Sequence, residues 1–400
     1  MLLLAACAGT PIQVDRVGAR EVHRELTGNV ISTGDISPDT QIVLQQRGLW
    51  QFYQSSPEAA IALLHRSLTA GPPDPDVLFA LAEMSFRRAE DTAAQPDYLA
   101  ATVYAFAFLF PSSPAQRPNE FDPRVRAASD IYNRSLTSAF EAPESSLVTL
   151  QSGTFALPFG TIHITFNQQS ARWGNLALSA FTPADELRVR GLRSDYTRHG
   201  LGAPLAAETT SSINEIGFRV EPNVKVPVTA LLRVDLAGSA LPDGNLQGRI
   251  DVYPAFEPSA VQIGTVSVPL EVDISAAFAY SLSDPKVWEG EFAGFLNGDF
   301  FSQTASQLVS LEPYRPDQIP IVFIHGTASS PGRWADLIND LQSNPVIRER
   351  YQFWSFSYAS GSPTAFSALQ LRTAIEDAVH KLDPRGDNPA LRRMVLIGHS

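Results

Sequence analysis

The sequence predicts a multidomain fold with an N-terminal all-α part, a central β-rich part and a C-terminal α/β part containing a parallel sheet. Three observations indicate this. Apolar residues recur at helical spacing in the first third of the chain. They alternate with polar residues in the middle. The last ninety or so residues read as strand–helix–strand–helix–strand. The predicted boundaries are 38–140 for the helical domain, 145–305 for the β-rich domain and 306–400 for the α/β domain.

Composition and charge exclude some classes of protein. Of 400 residues, 44% are apolar and 18% charged, against about 25% charged in a typical soluble protein. That balance predicts packed cores and excludes disorder for most of the chain. The net charge is −12 and no Lys/Arg-rich run occurs, so a nucleic-acid partner is not expected.

Cysteine and histidine content bear on redox chemistry and cofactors. Cys7 is the only cysteine, which excludes disulfides within the chain and cysteine-based zinc sites. The seven histidines are scattered, and no HExxH occurs. We therefore expect no metal and no cofactor. The longest apolar run, from Leu99 to Phe110, is short of the ~20 residues that a membrane-spanning helix needs.

The amino terminus, residues 1–10, resembles the remnant of a bacterial signal peptide. Leu4-Ala5-Ala6-Cys7 has the form of a lipobox, in which the peptide is cut before the cysteine and the thiol receives a lipid. A positive n-region is missing and the apolar stretch is short, which a start site placed too far downstream would explain. We expect a lipid anchor on Cys7 and a location at the bacterial cell envelope. The alternative is a frayed apolar end with a chance cysteine.

Proline-led starts mark the helices of the first domain. Ser56-Pro57, Asp74-Pro75 and Pro96 each precede apolar residues at helical spacing. The first two starts lie eighteen residues apart, which weakly resembles a tetratricopeptide-type pair. An ordinary small helical bundle is the preferred interpretation.

Alternating apolar residues predict the strands of the central domain, and turn signals such as Pro242-Asp243-Gly244 separate them. The two histidines of this domain, His163 and His199, are interpreted as solvated rather than catalytic. The predicted strands are those around Phe155–Phe159, Ile162–Phe166, Leu187–Val189, Lys225–Leu236, Leu246–Tyr253, Val261–Val272 and Phe278–Leu282.

The C-terminal segment combines buried strands with capped helices. Ile321–Ile324 is a continuous apolar run, typical of a strand buried on both faces of a parallel sheet, and His325-Gly326-Thr327 follows it. Ser330-Pro331 and Ser362-Pro363 precede two amphipathic helices. The strands Phe353–Phe356 and Met394–Ile397 complete the series, which ends in Gly398-His399-Ser400.

An HG turn after the first strand and a Gly-x-Ser turn after the third resemble the first half of the α/β-hydrolase core, of the serine esterase or lipase type. The resemblance covers about residues 300–400, with 306–312 as a preceding antiparallel strand. It implies that Ser400 is the nucleophile and Gly398 the small residue of its turn. It also implies an oxyanion hole with the main-chain N–H of Thr327, or of Gly326, as a donor. His325 is interpreted as structural.

In this superfamily the catalytic acid and histidine follow the nucleophile, so both are expected beyond residue 400. The 400-residue sequence by itself is accordingly predicted to be inactive. The resemblance also places Ile321–Ile324 in the sheet interior, parallel to and beside Met394–Ile397, with Phe353–Phe356 next to an earlier strand.

The expected function is hydrolysis of a small-molecule or lipid carboxylic ester through an acyl-enzyme on Ser400. One alternative is a non-enzymatic envelope lipoprotein, in which a vestigial hydrolase domain acts as a binding module. The other is an amidase or thioesterase, because the same catalytic residues can run that chemistry and fold does not fix the substrate.

Overall fold

The computed structural model of the chain describes residues 14–69, 73–210, 219–221, 224–236, 240–255, 258–283 and 306–399. The helices are α1 Ala19–Thr27, α2 Val30–Thr33, α3 Pro38–Gln46, α4 Trp50–Ser55, α5 Pro57–Arg66, α6 Pro75–Thr92, α7 Gln95–Leu109, α8 Pro123–Phe140, α9 Ala240–Asp243, α10 Ile274–Leu282, α11 Ala335–Ser343, α12 Pro345–Arg350 and α13 Thr364–Leu382. The strands are β1 Glu141–Ala142, β2 Leu147–Val148, β3 Gly153–Leu157, β4 Gly160–Phe166, β5 Arg172–Trp173, β6 Leu176–Pro183, β7 Thr197–Arg198, β8 Ala203–Thr209, β9 Lys225–Asp235, β10 Asn245–Pro254, β11 Ala260–Ile263, β12 Val266–Pro269, β13 Val272–Asp273, β14 Gln307–Ser310, β15 Ile319–Ile324, β16 Tyr351–Ser357 and β17 Val395–Gly398.

The three predicted helices of the N-terminal part are confirmed as α5, α6 and α7. A proline stands in the first turn of each, where its missing N–H costs nothing. The side chain of Asp74 caps α6 by accepting a hydrogen bond from the N–H of Asp76 (3.0 Å). Ser56, which precedes Pro57, makes no such bond with its side chain.

The central part is a nine-stranded mixed sheet with the order β1-β2-β6-β8-β9-β10-β4-β3, in which β5 pairs with β6. Among the strand pairs that the structure describes in this sheet, β10–β4 alone is parallel. One continuous apolar core joins this sheet to the helices. The Tyr132 hydroxyl of α8 donates to the carbonyl of Leu232 in β9 (2.6 Å) and accepts from the N–H of Leu232 (2.8 Å). Helix α8 is thereby fixed on the sheet.

Four of the predicted strands in the central part are confirmed, and they correspond to β3, β4, β9 and β10. The predicted turn at Gly244 is also confirmed. Its φ of +65° lies in the left-handed region, and a Cβ there would collide with the carbonyl of Phe159, so only glycine fits.

Three strand predictions in the central part are wrong. Leu187–Val189 belongs to a loop. Val261–Val272 is not one strand but the hairpin β11–β12 followed by β13, because Gly264, with a φ of +59°, turns the chain. Phe278–Leu282 is the end of helix α10. Its alanines favour a helix, and the side chain of Asp273 caps it through the N–H of Ala276 (2.7 Å).

The C-terminal part is a four-stranded sheet with the order β14-β16-β15-β17. β15 is parallel to both β16 and β17, and β14 is antiparallel to β16. The predicted strand order, the interior place of Ile321–Ile324 and the preceding antiparallel strand are therefore confirmed. In β17, the last strand of the described sheet, Val395 and Leu396 are 38% and 52% exposed.

The helices of the C-terminal part begin differently from the prediction. A 3₁₀ turn, Pro331–Trp334, precedes α11, and the side chain of Ser330 makes no capping bond. Pro363 rather than Ser362 stands at the cap of α13. The predicted apolar stripe of α11 is only partly buried, because Leu337 is exposed while Ile338 packs against the sheet.

The C-terminal and central parts touch through several polar contacts. The side-chain amide of Asn339 in α11 donates to the carbonyl of Ser194 (2.9 Å), and its Oδ1 accepts from the hydroxyl of Ser275 (2.8 Å). Among the described residues, no helix has the length and apolar character needed to cross a bilayer.

Candidate functional site

The two short motifs of the C-terminal part meet at one edge of its sheet. The main-chain N–H of His399 donates to the carbonyl of Ile324 (3.0 Å), and Ile324 is the register partner of Gly398. Both strands run in the same direction, so the turn after each leaves the sheet at its carboxyl edge. Ser400, the predicted nucleophile, lies outside the described residues, as does Cys7.

The turn after β15 offers main-chain donors at this edge. Gly326 is buried and Thr327 is exposed, and within the described chain neither N–H has a hydrogen-bond acceptor. The next N–H, of Ala328, donates to the hydroxyl of Ser360 (3.1 Å). Ala328, with a φ of +49°, adopts the left-handed conformation in this turn.

His325 is engaged through both ring nitrogens. Its Nε2 accepts from the N–H of Tyr358 (3.3 Å), so Nδ1 carries the proton and donates to the carbonyl of Gly326 (3.1 Å). The imidazole is buried and stacks on the Tyr358 ring at 4.4 Å. The Tyr358 hydroxyl donates to the carbonyl of His325 (2.8 Å). This geometry is that of a residue that holds the turn together, and it leaves no nitrogen free to act as a base.

Gly398, predicted as the small residue of the turn before Ser400, is the last residue of β17. A Cβ at this position would meet no heavy atom of the described residues within 4 Å. Crowding within the described chain therefore does not require glycine here.

Two polar atoms near the same edge are buried and have no hydrogen-bond partner in the described part of the chain. They are the hydroxyl of Ser329 and the indole Nε1 of Trp334. The Trp334 ring lies 5.5 Å from that of Phe323 and 6.0 Å, edge-on, from that of His399. Buried polar groups are nearly always hydrogen-bonded, so this edge holds unused donors beside the Gly-His-Ser motif.

A cavity of about 300 Å³ lies beside the turn, between the C-terminal sheet and the central part. Its wall on the turn side contains Pro331 and Gly332, and Ser357 lies at the end of β16. Most of the remaining lining is apolar, including Phe278, Val309 and Ile338. The volume is at the lower end of the range for small-molecule sites, and the lining suits a short apolar group.

Sequence reasoning missed Tyr358, Ser360 and Trp334. The first two follow strand β16, and the carboxyl ends of neighbouring parallel strands meet at one edge. That rule, applied to the residues after Phe356, would have pointed to Tyr358 and Ser360. Burial raises the pKa of the Tyr358 hydroxyl, so it stays a neutral donor at physiological pH.

Other histidines of the described chain lie away from this edge. His163 is exposed and contacts the hydroxyl of Thr154 (3.2 Å), and His199, also exposed, lies 3.4 Å from a carboxylate oxygen of Glu271. Both are solvated, as predicted. Among the described residues, no cluster of three or more His, Cys, Asp or Glu is arranged to hold a metal ion.

Comparison of the chain with family models, curated proteins and solved structures finds no match in any of the three.

Proposed function

We propose that the protein is a serine hydrolase that cleaves carboxylic esters through an acyl-enzyme on Ser400. The observation that carries the proposal is the meeting of two motifs about seventy-five residues apart in sequence. The N–H of His399 donates to the carbonyl of Ile324, the residue before the turn at 325–330, and this bond places the start of the Gly-His-Ser segment beside that turn. A nucleophile and an oxyanion donor must lie within a few ångströms of one reacting carbonyl. Two motifs that lie at the same edge of the sheet support this arrangement.

In this mechanism the hydroxyl of Ser400 attacks the ester carbonyl while a base removes its proton. The negative charge that develops on the carbonyl oxygen is stabilised by the N–H of Thr327, or of Gly326, and by the N–H after Ser400. The alcohol leaves, and water then releases the acid from Ser400. The base and its orienting carboxylate are a histidine and an Asp or Glu expected later in chain order.

The cavity beside Gly332 and Ser357 has a mostly apolar lining that also includes Glu221 and Lys225, and it supports an ester with a short apolar acyl group. As a second candidate we propose that the same residues cleave an amide or a thioester instead of an ester. Lipid anchoring at Cys7, at the bacterial cell envelope, is part of the proposal.

The experiment uses the protein expressed from its complete reading frame. A fluorophosphonate probe should label Ser400, since such probes trap activated serines, and 4-nitrophenyl butyrate should be hydrolysed. Ser400→Ala should lose both, while Ser55→Ala, which alters an exposed serine at the end of α4, should lose neither. Labelling that persists at another serine would move the active site elsewhere. A folded protein with neither labelling nor turnover would favour the binding-module alternative.

A further inference from the structure

A second cavity lies between the loop at 187–192 and helix α10, and it shares Leu282 and Ala335 with the lining of the first. Its volume is about 510 Å³, within the range of small-molecule sites. Two arginines of the loop, Arg188 and Arg190, are part of its lining, and the described lining contains no carboxylate. The apolar lining is formed by Leu187, Val189, Leu192, Ala276, Ala279, Leu282 and Ala335.

The loop and the residue that follows it carry three arginines, Arg188, Arg190 and Arg193. The protein carries a net charge of −12, and many of its arginines form ion pairs, such as Arg124 with Asp76 and Asp122. In the described residues the guanidinium groups of Arg188, Arg190 and Arg193 form no ion pair or hydrogen bond. Two of these arginines, Arg188 and Arg190, therefore line an apolar recess without a partner among the described residues, and Arg193 follows them in the chain.

The main chain beside these arginines is held firmly. The N–H of Arg193 donates to the carboxylate of Asp336 (2.8 Å), and the carbonyl of Ser194 accepts from Asn339 (2.9 Å). The Tyr196 hydroxyl donates to the carboxylate of Asp340 (2.9 Å). The two carboxylates of α11 are thus engaged with an N–H and a phenol rather than with the guanidinium groups. The arginines remain available on a loop that is fixed at its C-terminal side.

We propose that this cavity binds a single-chain amphiphilic anion, with its carboxylate head on Arg188 and Arg190 and its alkyl tail against the apolar wall. Guanidinium groups match carboxylate geometry through paired N–H donors. The wall removes alkyl groups from water, which is favourable in proportion to the area buried. A purely inorganic anion would leave that wall unused, and an uncharged alkane would leave the arginines unpaired. The proposal does not depend on the hydrolase activity.

The test measures binding of decanoate, below its micelle-forming concentration, by isothermal titration calorimetry. Decanoate should bind at one site, while decanol and acetate, each lacking one half of the ligand, should bind at least tenfold more weakly. Raising the salt concentration should weaken decanoate binding, because exposed charges are screened.

Variants locate the site. Arg188→Gln with Arg190→Gln should weaken decanoate binding roughly tenfold, the loss expected for charge-assisted hydrogen bonds. The matched control, Arg20→Gln with Arg24→Gln on the exposed helix α1, removes the same charge and should leave binding unchanged. Ala279→Phe fills the recess and should weaken binding while both arginines remain. Its fold is checked by circular dichroism and thermal unfolding.

Binding that survives both the loop change and Ala279→Phe would overturn the proposal, as would an equal loss in the control. Absence of decanoate binding by the folded protein would show that the arginines are merely solvated, which also overturns it. If the protein bound anionic vesicles but not dissolved decanoate, the arginines would face a membrane surface rather than a ligand in the cavity. That result would contradict the proposed site.

Discussion

The main-chain N–H of His399 lies 3.0 Å from the carbonyl oxygen of Ile324. This bond continues the parallel β15–β17 ladder by one residue past Gly398. It fixes the start of the Gly-His-Ser turn against the end of the neighbouring strand. In the turn that follows Ile324, the N–H groups of Gly326 and Thr327 have no acceptor among the described residues, so the two features named by the catalytic hypothesis follow adjacent strands.

The oxyanion hypothesis predicts the effect of Thr327→Pro, which removes the N–H of Thr327 and keeps His325 and Gly326. Loss of one such donor costs on the order of 10²–10³ in kcat in a well-studied serine protease. We expect a fall of that order for 4-nitrophenyl butyrate, with KM changed little. Thr327→Ala keeps the N–H and serves as the control. Equal activity of the proline variant and the wild type would remove Thr327 from the oxyanion hole.

Because His325 holds the turn together, we expect its substitution to lower the stability of the fold. We do not expect the substitution to remove a catalytic base. His325→Phe keeps an aromatic ring on Tyr358 but removes both ring hydrogen bonds. The free energy of unfolding should fall by about 1–3 kcal/mol, since buried groups lose their partners. Urea unfolding measures it. Tyr358→Phe, which removes only the bond to the carbonyl of His325, should cost about 0.5–1.5 kcal/mol. If His325→Phe were fully stable yet inactive, His325 would be catalytic instead.

The carboxyl group of Asp273 is expected to make the free energy of unfolding depend on pH. Burial raises its pKa to about 6, partly offset by the hydrogen bond from the N–H of Ala276. The folded state therefore holds the proton more tightly than the unfolded state, in which the pKa is near 4. The stabilisation from the protonated form is fully present below pH 4 and is lost as the pH rises through 6.

Asp273→Asn keeps a capping side chain and removes the charge. The variant should be more stable than the wild type at pH 7 by about 1–2 kcal/mol, allowing for solvent screening, and nearly equal to it at pH 4. Thermal unfolding at the two pH values measures the difference. Asp39→Asn, at an exposed position in α3, is the control. A variant less stable than the wild type at pH 7 would contradict the prediction.

Glu83 joins the N-terminal segment to helix α6. Its buried carboxylate accepts from the N–H groups of Val30 (3.1 Å) and Ser37 (3.0 Å) and from the hydroxyls of Ser37 (2.5 Å) and Thr40 (2.6 Å). Glu83→Ala leaves all four donors without an acceptor, so we expect a loss of at least about 3 kcal/mol in unfolding free energy. Glu144→Ala, at an exposed position, should change it by about 0.5 kcal/mol or less. A loss below 1 kcal/mol in Glu83→Ala would show that water replaces the carboxylate.

Lipid anchoring predicts the behaviour of Cys7→Ser. With the complete reading frame expressed in a bacterial host, the wild type should sediment with membranes and the variant should be released, because a serine hydroxyl is not lipidated in place of the thiol. Fractionation followed by immunoblotting measures this. Retention of the variant on membranes would exclude Cys7 as the anchor.

The local patterns of the sequence determined many of the elements. Pro57, Pro75 and Pro96 marked helix starts because proline fits the first turn, and the apolar runs around Ile321, Phe353 and Val395 became strands of one sheet. The order of the C-terminal strands also followed from the sequence, once the HG and Gly-His-Ser turns had suggested a fold. Where alanine-rich sequence met a capping residue, at Asp273, alternation predicted a strand and the helix α10 formed instead.

Only the tertiary structure decided which groups face one another. Tyr358 and Ser360 come to the turn at 325–330 because β16 runs parallel to β15, a contact across more than thirty residues that no local pattern contains. The pairing of the loop at 187–192 with α10 and α11 was likewise invisible, since that loop was interpreted as a strand. A sequence records the preferences of each segment for helix, strand or turn, whereas packing between segments sets distances, burial and the partners left to each donor and charge.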